Sequence, residues 1–251
     1  MDTVLERIRR AELEPLRANF PAGARVLELG GGSGFQSSIL SSWGCDVRSI
    51  DVATRPDPLS QRYGRQYFPV TTYDGLNIPF ADSSFDVVYS SHMLYHAADL
   101  EAMLAEIARV LCPGGVAVHV LPSASWRFWT TLAHYPNLVK KLLTRPMRVA
   151  SPQNPMAPGN RLQAVSRLRR VRLLLTVRPL GPAGDVFVEW ARFRVRRWRA
   201  AFQSAGFREI KPLRGPLFYT GHLMTPSLPF SLRSALAWAL GPASFPWIMA
   251  R

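Results

Sequence analysis

From residue 25 to residue 122, short apolar runs alternate with stretches of helical spacing. The segments "RVLEL" (25–29), "DVRSID" (46–51), "FDVVYS" (85–90) and "GGVAVHVLP" (114–122) are brief and rich in β-branched residues, and each predicts a strand. Between them, "GFQSSILSSW" and "DLEAMLAEIARVL" (99–111) repeat their apolar positions at helical intervals, and Pro113-Gly114-Gly115 marks the turn that ends the second helix. Strands alternating with helices predict βαβ units, hence an α/β fold with a parallel sheet and helices on both faces. Ahead of them, residues 2–19 read as an amphipathic lead-in helix with Val4, Leu5, Ile8, Leu13 and Leu16 apolar.

After Leu121 the rhythm changes. Residues 124–144 read as helix, 145–160 as a Pro-rich loop, and 161–180 as an arginine-laced apolar segment. From 194 a helix, a turn at Gly206 and a strand return, and the chain closes on helix, turn and a last short strand. With no internal repeat, residues 1–251 read as one domain: a core at 20–122, a helical lid insertion after the fifth strand at 123–193, and a completion of the sheet at 194–251.

Composition narrows this picture in three ways. Hydrophobic residues make up 47% of the chain, enough for a packed core. No apolar run approaches the ~18 residues of a membrane span, the N-terminal stretch lacks the apolar centre of a signal peptide, and Cys45 and Cys112 lack metal or redox spacing. These features predict a cytoplasmic protein without a metal site. The formal charge of +14 invites a nucleic-acid reading, but the excess is local and almost all arginine: residues 140–199 hold about half of the positive charge. An acidic ligand or a peripheral contact with an anionic membrane explains such a patch as well.

The candidate chemistry starts at Glu28-Leu29-Gly30-Gly31-Gly32-Ser33-Gly34. These glycines fall between the first strand and its helix, at the strand's carboxyl end, where ligands of open α/β sheets bind. Bare backbone there permits positive φ and close approach of a ligand, and the helix start adds unpaired N–H groups. Asp51, about twenty residues on, closes the second strand beside Val52, where a carboxylate can accept both hydroxyls of a ribose. A dinucleotide fingerprint would need a small residue where Phe35 stands; the pattern acid-x-G-x-G-x-G is met by Glu28, Gly30, Gly32 and Gly34.

At these residues the chain resembles the class I S-adenosylmethionine-dependent methyltransferases of the small-molecule, type 11-like branch. "VLELGGGSG" resembles that family's first motif and "VRSIDVA" its ribose-binding acid. "DGLNIPFADSSFDVVYSSHMLYH" and "EIARVLCPGGVAVHVLP" are similar to the passages that follow, in order and at normal spacing. The resemblance implies a Rossmann-like seven-stranded sheet, mostly parallel, ending in an antiparallel hairpin. It implies that Gly30, Gly32 and Gly34 pass under the amino-acid part of S-adenosylmethionine while Glu28 reaches its amine through water. Asp51 and Val52 would take the ribose, Asp74, Gly75 and Leu76 would flank the adenine, and Ser90 and Ser91 would face the sulfonium. His92 stands where family members often have Asn, and Tyr95-His96 where Glu-His is frequent.

If the acceptor is a hydroxyl, a base must take its proton, and His92 and His96 follow the cofactor-proximal strand. Tyr95, Trp126 and His222 are candidate substrate contacts, and His119, mid-strand, reads as structural. The expected activity is O-methylation of a small-molecule, lipid-linked or sugar-linked acceptor. An RNA or protein methyltransferase using the basic patch, or a non-catalytic membrane-surface or assembly subunit that keeps the fold, are the alternatives.

Overall fold

The computed structural model describes residues 3–52, 65–144, 186–221 and 228–251. Their seven strands form one sheet in the order β3-β2-β1-β4-β5-β7-β6. These are β1 (Arg25–Leu29), β2 (Asp46–Val52), β3 (Thr71–Tyr73), β4 (Phe85–Ser91), β5 (Leu111–Pro122), β6 (Arg208–Pro212) and β7 (Ser244–Ala250). The first five run parallel, and β7 is antiparallel to both β5 and β6, as the resemblance implied.

Side-chain alternation puts successive residues of each strand into different cores. Leu27, Leu29, Val88, Ala117 and Trp247 enter one, under α3 (Leu100–Val110) and α6 (Val195–Ser204). Val26, Val87, Tyr89, Val118 and Val120 enter the other, with Phe35, Ile39 and Leu40 of α2 (Phe35–Ser42) and Leu13 of α1 (Val4–Leu13). A sheet covered on both faces explains why these strands read as nearly continuous apolar runs.

Two local details depart from the sequence pattern. The lead-in helix is α-helical only to Leu13 and continues as a 3₁₀ turn, Glu14–Asn19, because Pro15 has no N–H to donate. Pro113-Gly114-Gly115 lies inside β5, absorbed as an irregularity in its pairing with β4. Of the insertion at 123–193, α4 (Ala124–Thr144) and α5 (Val186–Arg192) are helical; the expected loop at 145–160 and segment at 161–180 lie outside the described residues. The helix α7 (Phe230–Leu240) leads into β7.

This order places the switch point between β1 and β4. From β1 the chain moves outward through β2 and β3, then returns to β4 on the other side of β1. The crevice outside the carboxyl ends of β1 and β4 is where open sheets of this kind take ligands.

Candidate functional site

The glycine turn occupies that crevice and is tied to the end of β2. Gly30 and Gly31 donate to the Ile50 carbonyl at 2.8 and 3.2 Å, and Gly32 donates to Asp51 Oδ2 at 2.8 Å. Gly30, Gly32 and Gly34 sit at φ of +78°, +54° and +74°. Met93, from the loop after β4, closes over the turn: a Cβ on Gly30 would lie 2.6 Å from Met93 Cγ. The turn and the loop after β4 are therefore in contact.

Asp51 also accepts from the Val52 N–H at 2.7 Å, and Val52 lies exposed beside it. β3 brings the next candidate pair alongside, since Val52 registers with Tyr73 and a Cβ on Gly75 would meet Val52 Cγ1 at 2.8 Å. Asp74 closes that loop by accepting from the Leu76 and Asn77 N–H groups, both at 2.8 Å, which leaves the Leu76 side chain outward. An acid at a strand end flanked by two exposed apolar residues, Val52 and Leu76, suits a ribose with an attached base.

Glu28 lies beneath the glycine turn. Its carboxyl is buried there, accepting from the hydroxyls of Ser37 and Ser49. Burial pushes its pKa up to about 7 against those two hydrogen bonds, so a nearby cation would favour its ionised form. Ser90 lies deeper still. It is fully buried and its hydroxyl pairs with His119 Nδ1 at 2.9 Å, inside the sheet's core rather than at its mouth. Ser91, one position on and on the opposite side of the strand, is only partly buried.

His92 and His96 separate. His96 is exposed on the 3₁₀ turn Leu94–His96, its ring 4.1 Å from that of Tyr95. His92 turns inward with φ +54°. Its Nε2 lies 3.5 Å from Glu12 Oε2 and 3.3 Å from Tyr219 Oη, and Arg9 Nη1 is 2.6 Å from the same Glu12 oxygen. Arg9, Glu12 and Tyr219 were not anticipated. One signal for Glu12 was available: it lies four residues after Ile8 on the lead-in helix, at an inward position where an acid is out of place.

Tyr95 lines a cavity of about 660 Å³ between the start of α3 and the helices α5 and α6, together with Leu94, Phe193, Trp198, Arg192 and Arg197. Trp126, at the start of α4, packs into the same core as Tyr95 and Phe193. His222 lies outside the described residues. Among the described residues no cluster of His, Cys, Asp and Glu could hold a metal ion.

Comparison with known proteins agrees with this geometry. Residues 27–119 match the family model described as a methyltransferase domain. The demethylmenaquinone methyltransferase of Beutenbergia cavernae is 35% identical over 150 residues, 59% of this chain and 60% of that protein. The demethylmenaquinone methyltransferase of Corynebacterium kroppenstedtii is 35% identical over 116 residues, 46% of this chain and 47% of that protein. The chain thus spans less than two thirds of either relative. A solved S-adenosylmethionine-dependent methyltransferase from Mesorhizobium loti shares the fold, with a TM-score of 0.55 at 18% identity over 96% of this chain and 98% of that one. Residues 27–119 are thus similar to the methyltransferase domain of the type 11 branch, and the sheet around them shares the fold of solved S-adenosylmethionine-dependent methyltransferases.

Proposed function

We propose that this protein transfers the methyl group of S-adenosylmethionine to an oxygen of a small-molecule acceptor, sugar- or lipid-linked acceptors included. The observation that carries the reading is the glycine turn bonded to Asp51 at the switch point, with Val52, Gly75 and Leu76 alongside. S-adenosylmethionine has parts to match: a cationic amine for the region above Glu28, a ribose for Asp51, and an adenine for the exposed apolar pair. When bound it supplies a methyl on a positively charged sulfur. The protein's part is then to hold donor and acceptor in line and to keep water out, and alignment alone is worth roughly 7–11 kcal/mol. The cavity beside Tyr95 and Phe193 offers an apolar, partly aromatic wall for the acceptor, edged by Arg192 and Arg197. Because two relatives carry the name demethylmenaquinone methyltransferase, a reduced naphthoquinone belongs in the first acceptor screen beside phosphorylated sugars.

Calorimetric titration with S-adenosylmethionine tests the cofactor half. We expect micromolar binding that weakens about 10- to 100-fold in Asp51→Ala, the scale of lost hydrogen bonds to a charged group. Folded wild-type protein that binds no cofactor would overturn the reading.

A peripheral contact with an anionic bilayer belongs to the same proposal. Phe128, Leu132 and Tyr135 form a half-exposed stripe along α4, and Phe187 of α5 and Trp238 of α7 are each 80% exposed. Arg192, Arg194, Arg196, Arg197 and Arg199 add five cations within α5, α6 and the turn between them. No helix among the described residues is long and apolar enough to cross a membrane, so contact would be with its surface. Flotation with phosphatidylglycerol vesicles but not phosphatidylcholine vesicles is the expected result; sedimentation with both would remove the membrane from the picture.

A further inference from the structure

Among the described residues, a dense group of buried ionisable side chains surrounds His92. We propose that Glu12 and Tyr219 are positioning residues that fix His92 as the acceptor of the proton released by the substrate hydroxyl. The inference rests on the proposed methyl transfer to oxygen and adds to it the residues that would prepare the base.

The cluster joins four separate parts of the chain. Glu12, on α1, is fully buried and lies 2.6 Å from Arg9 Nη1. It accepts from Tyr219 Oη at 2.8 Å and from Ser244 Oγ, at the head of β7, at 2.5 Å. His92 presents Nε2 to this group, at 3.3 Å from Tyr219 Oη and 3.5 Å from Glu12 Oε2. Tyr219 donates its own proton to Glu12, so its oxygen is left to accept, from Arg9 Nη1 at 3.4 Å and from His92. Both neighbours thus favour a hydrogen on Nε2, which leaves Nδ1 bare.

The backbone at His92 supports a functional origin. A left-handed φ in a residue other than glycine costs on the order of 1–2 kcal/mol, and such residues persist where the surroundings hold them. Here the His92 N–H is held by the Val120 carbonyl at 2.8 Å. Glu12 already has three close partners in Arg9, Tyr219 and Ser244, so a histidine 3.5 Å away is not needed to neutralise it. The same turn lays Met93, the residue after His92, on Gly30 of the glycine turn.

The electrostatics fit the task. Burial, aided by the Arg9 charge and by His96 on the neighbouring 3₁₀ turn, holds the His92 pKa below its ordinary value, while Glu12 pulls the other way. Burial would push the Glu12 carboxyl up, but Arg9, His92 and the Ser244 hydroxyl hold it ionised. The ring is therefore neutral before reaction and faces a carboxylate once it is charged. In the transfer, the acceptor oxygen bonds to the methyl carbon as the carbon–sulfur bond breaks and sulfur keeps that electron pair. The hydroxyl proton passes to His92 Nδ1, and the imidazolium formed is stabilised by Glu12.

Protein labelled with ¹⁵N-histidine, observed by long-range ¹H–¹⁵N NMR with and without S-adenosylhomocysteine, tests this; His92→Asn assigns the signal. We expect His92 to remain neutral to below the ordinary histidine pKa of about 6.5. Its hydrogen should sit on Nε2, and its Nδ1 signal should move when S-adenosylhomocysteine binds. Tyr219→Phe should mix the two tautomers. Glu12→Gln, where it folds, should drive the His92 pKa lower still, because the one group raising it is gone. A His92 protonated at pH 7, carrying its hydrogen on Nδ1, or blind to bound S-adenosylhomocysteine would overturn the proton-acceptor role while leaving the methyl-transfer reading intact. Calorimetry showing that unaltered protein binds no S-adenosylhomocysteine would instead sink the methyl-transfer reading, and the role of His92 with it.

Discussion

Gly34→Ala should lower the affinity for S-adenosylmethionine by at least about 100-fold and cost the fold roughly 2–4 kcal/mol. Gly34 caps the start of α2 at φ +74°, where an alanine pays about 1–2 kcal/mol for its Cβ. The second cost is steric and has no easy escape. The new Cβ would lie 2.6 Å from the Phe68 carbonyl oxygen, 2.8 Å from its nitrogen and 2.7 Å from its Cβ. These atoms are backbone or bonded directly to it, so no rotamer change relieves the contact. Retreat of Phe68 would pull on Tyr67, whose N–H donates to the Ser33 carbonyl at 2.8 Å and whose hydroxyl donates to Glu6 at 2.7 Å. The glycine turn would lose its shape along with its neighbour. Gly114→Ala is the control, because Gly114 has a similar φ of +77° but open space around the added carbon. Thermal melting and calorimetry on both variants decide the matter: equal melting temperatures and cofactor affinities within threefold would show that Phe68 yields freely.

How far such a site can be read in advance depends on which information a local pattern carries. Strand positions 25–29 and 85–90 were legible because both faces of the sheet are covered there, which writes apolar residues at most positions, while 46–51 showed only Val47 and Ile50 among polar residues. The glycine turn and Asp51 were legible because their backbone demands leave few residue choices. β3 was not, since Thr71 and Thr72 are exposed and three residues give no periodicity to count. Ser90 misled for a different reason: its place at a strand end is local, but its pairing with His119 is set by the register between β4 and β5. The cluster at Glu12 shows the same limit at longer range. An acid on the apolar side of a helix announces that a partner exists, but Tyr219 stands 207 residues away and only the fold names it. Tyr219 lies three residues before His222, the residue of "LFYTGHLM" that the sequence offered as a candidate substrate contact.

Arg127→Met should destabilise the protein by about 3–5 kcal/mol, and adding Glu189→Leu should recover most of that loss. Arg127 of α4 and Glu189 of α5 are 1% and 2% exposed at the side chain and meet at 2.9 Å between Nη2 and Oε2. Burial holds the Arg127 guanidinium below its usual pKa, and Glu189 opposes that shift. Each charge offsets part of the other's desolvation, so removing one takes away that share of the compensation in a medium that solvates its partner poorly. Replacing both by apolar groups of similar bulk removes the desolvation penalty together with the attraction, which is why the double variant should lie near the parent. The pair also sets the geometry of the proposed acceptor cavity, because Glu189 and Phe193 line it and Arg127 anchors the helix that carries Glu189. Denaturant unfolding of the two single variants and the double variant yields the coupling directly. A single-variant loss under about 1 kcal/mol would mean that water reaches the pair and that α5 is held to α4 by its apolar contacts instead.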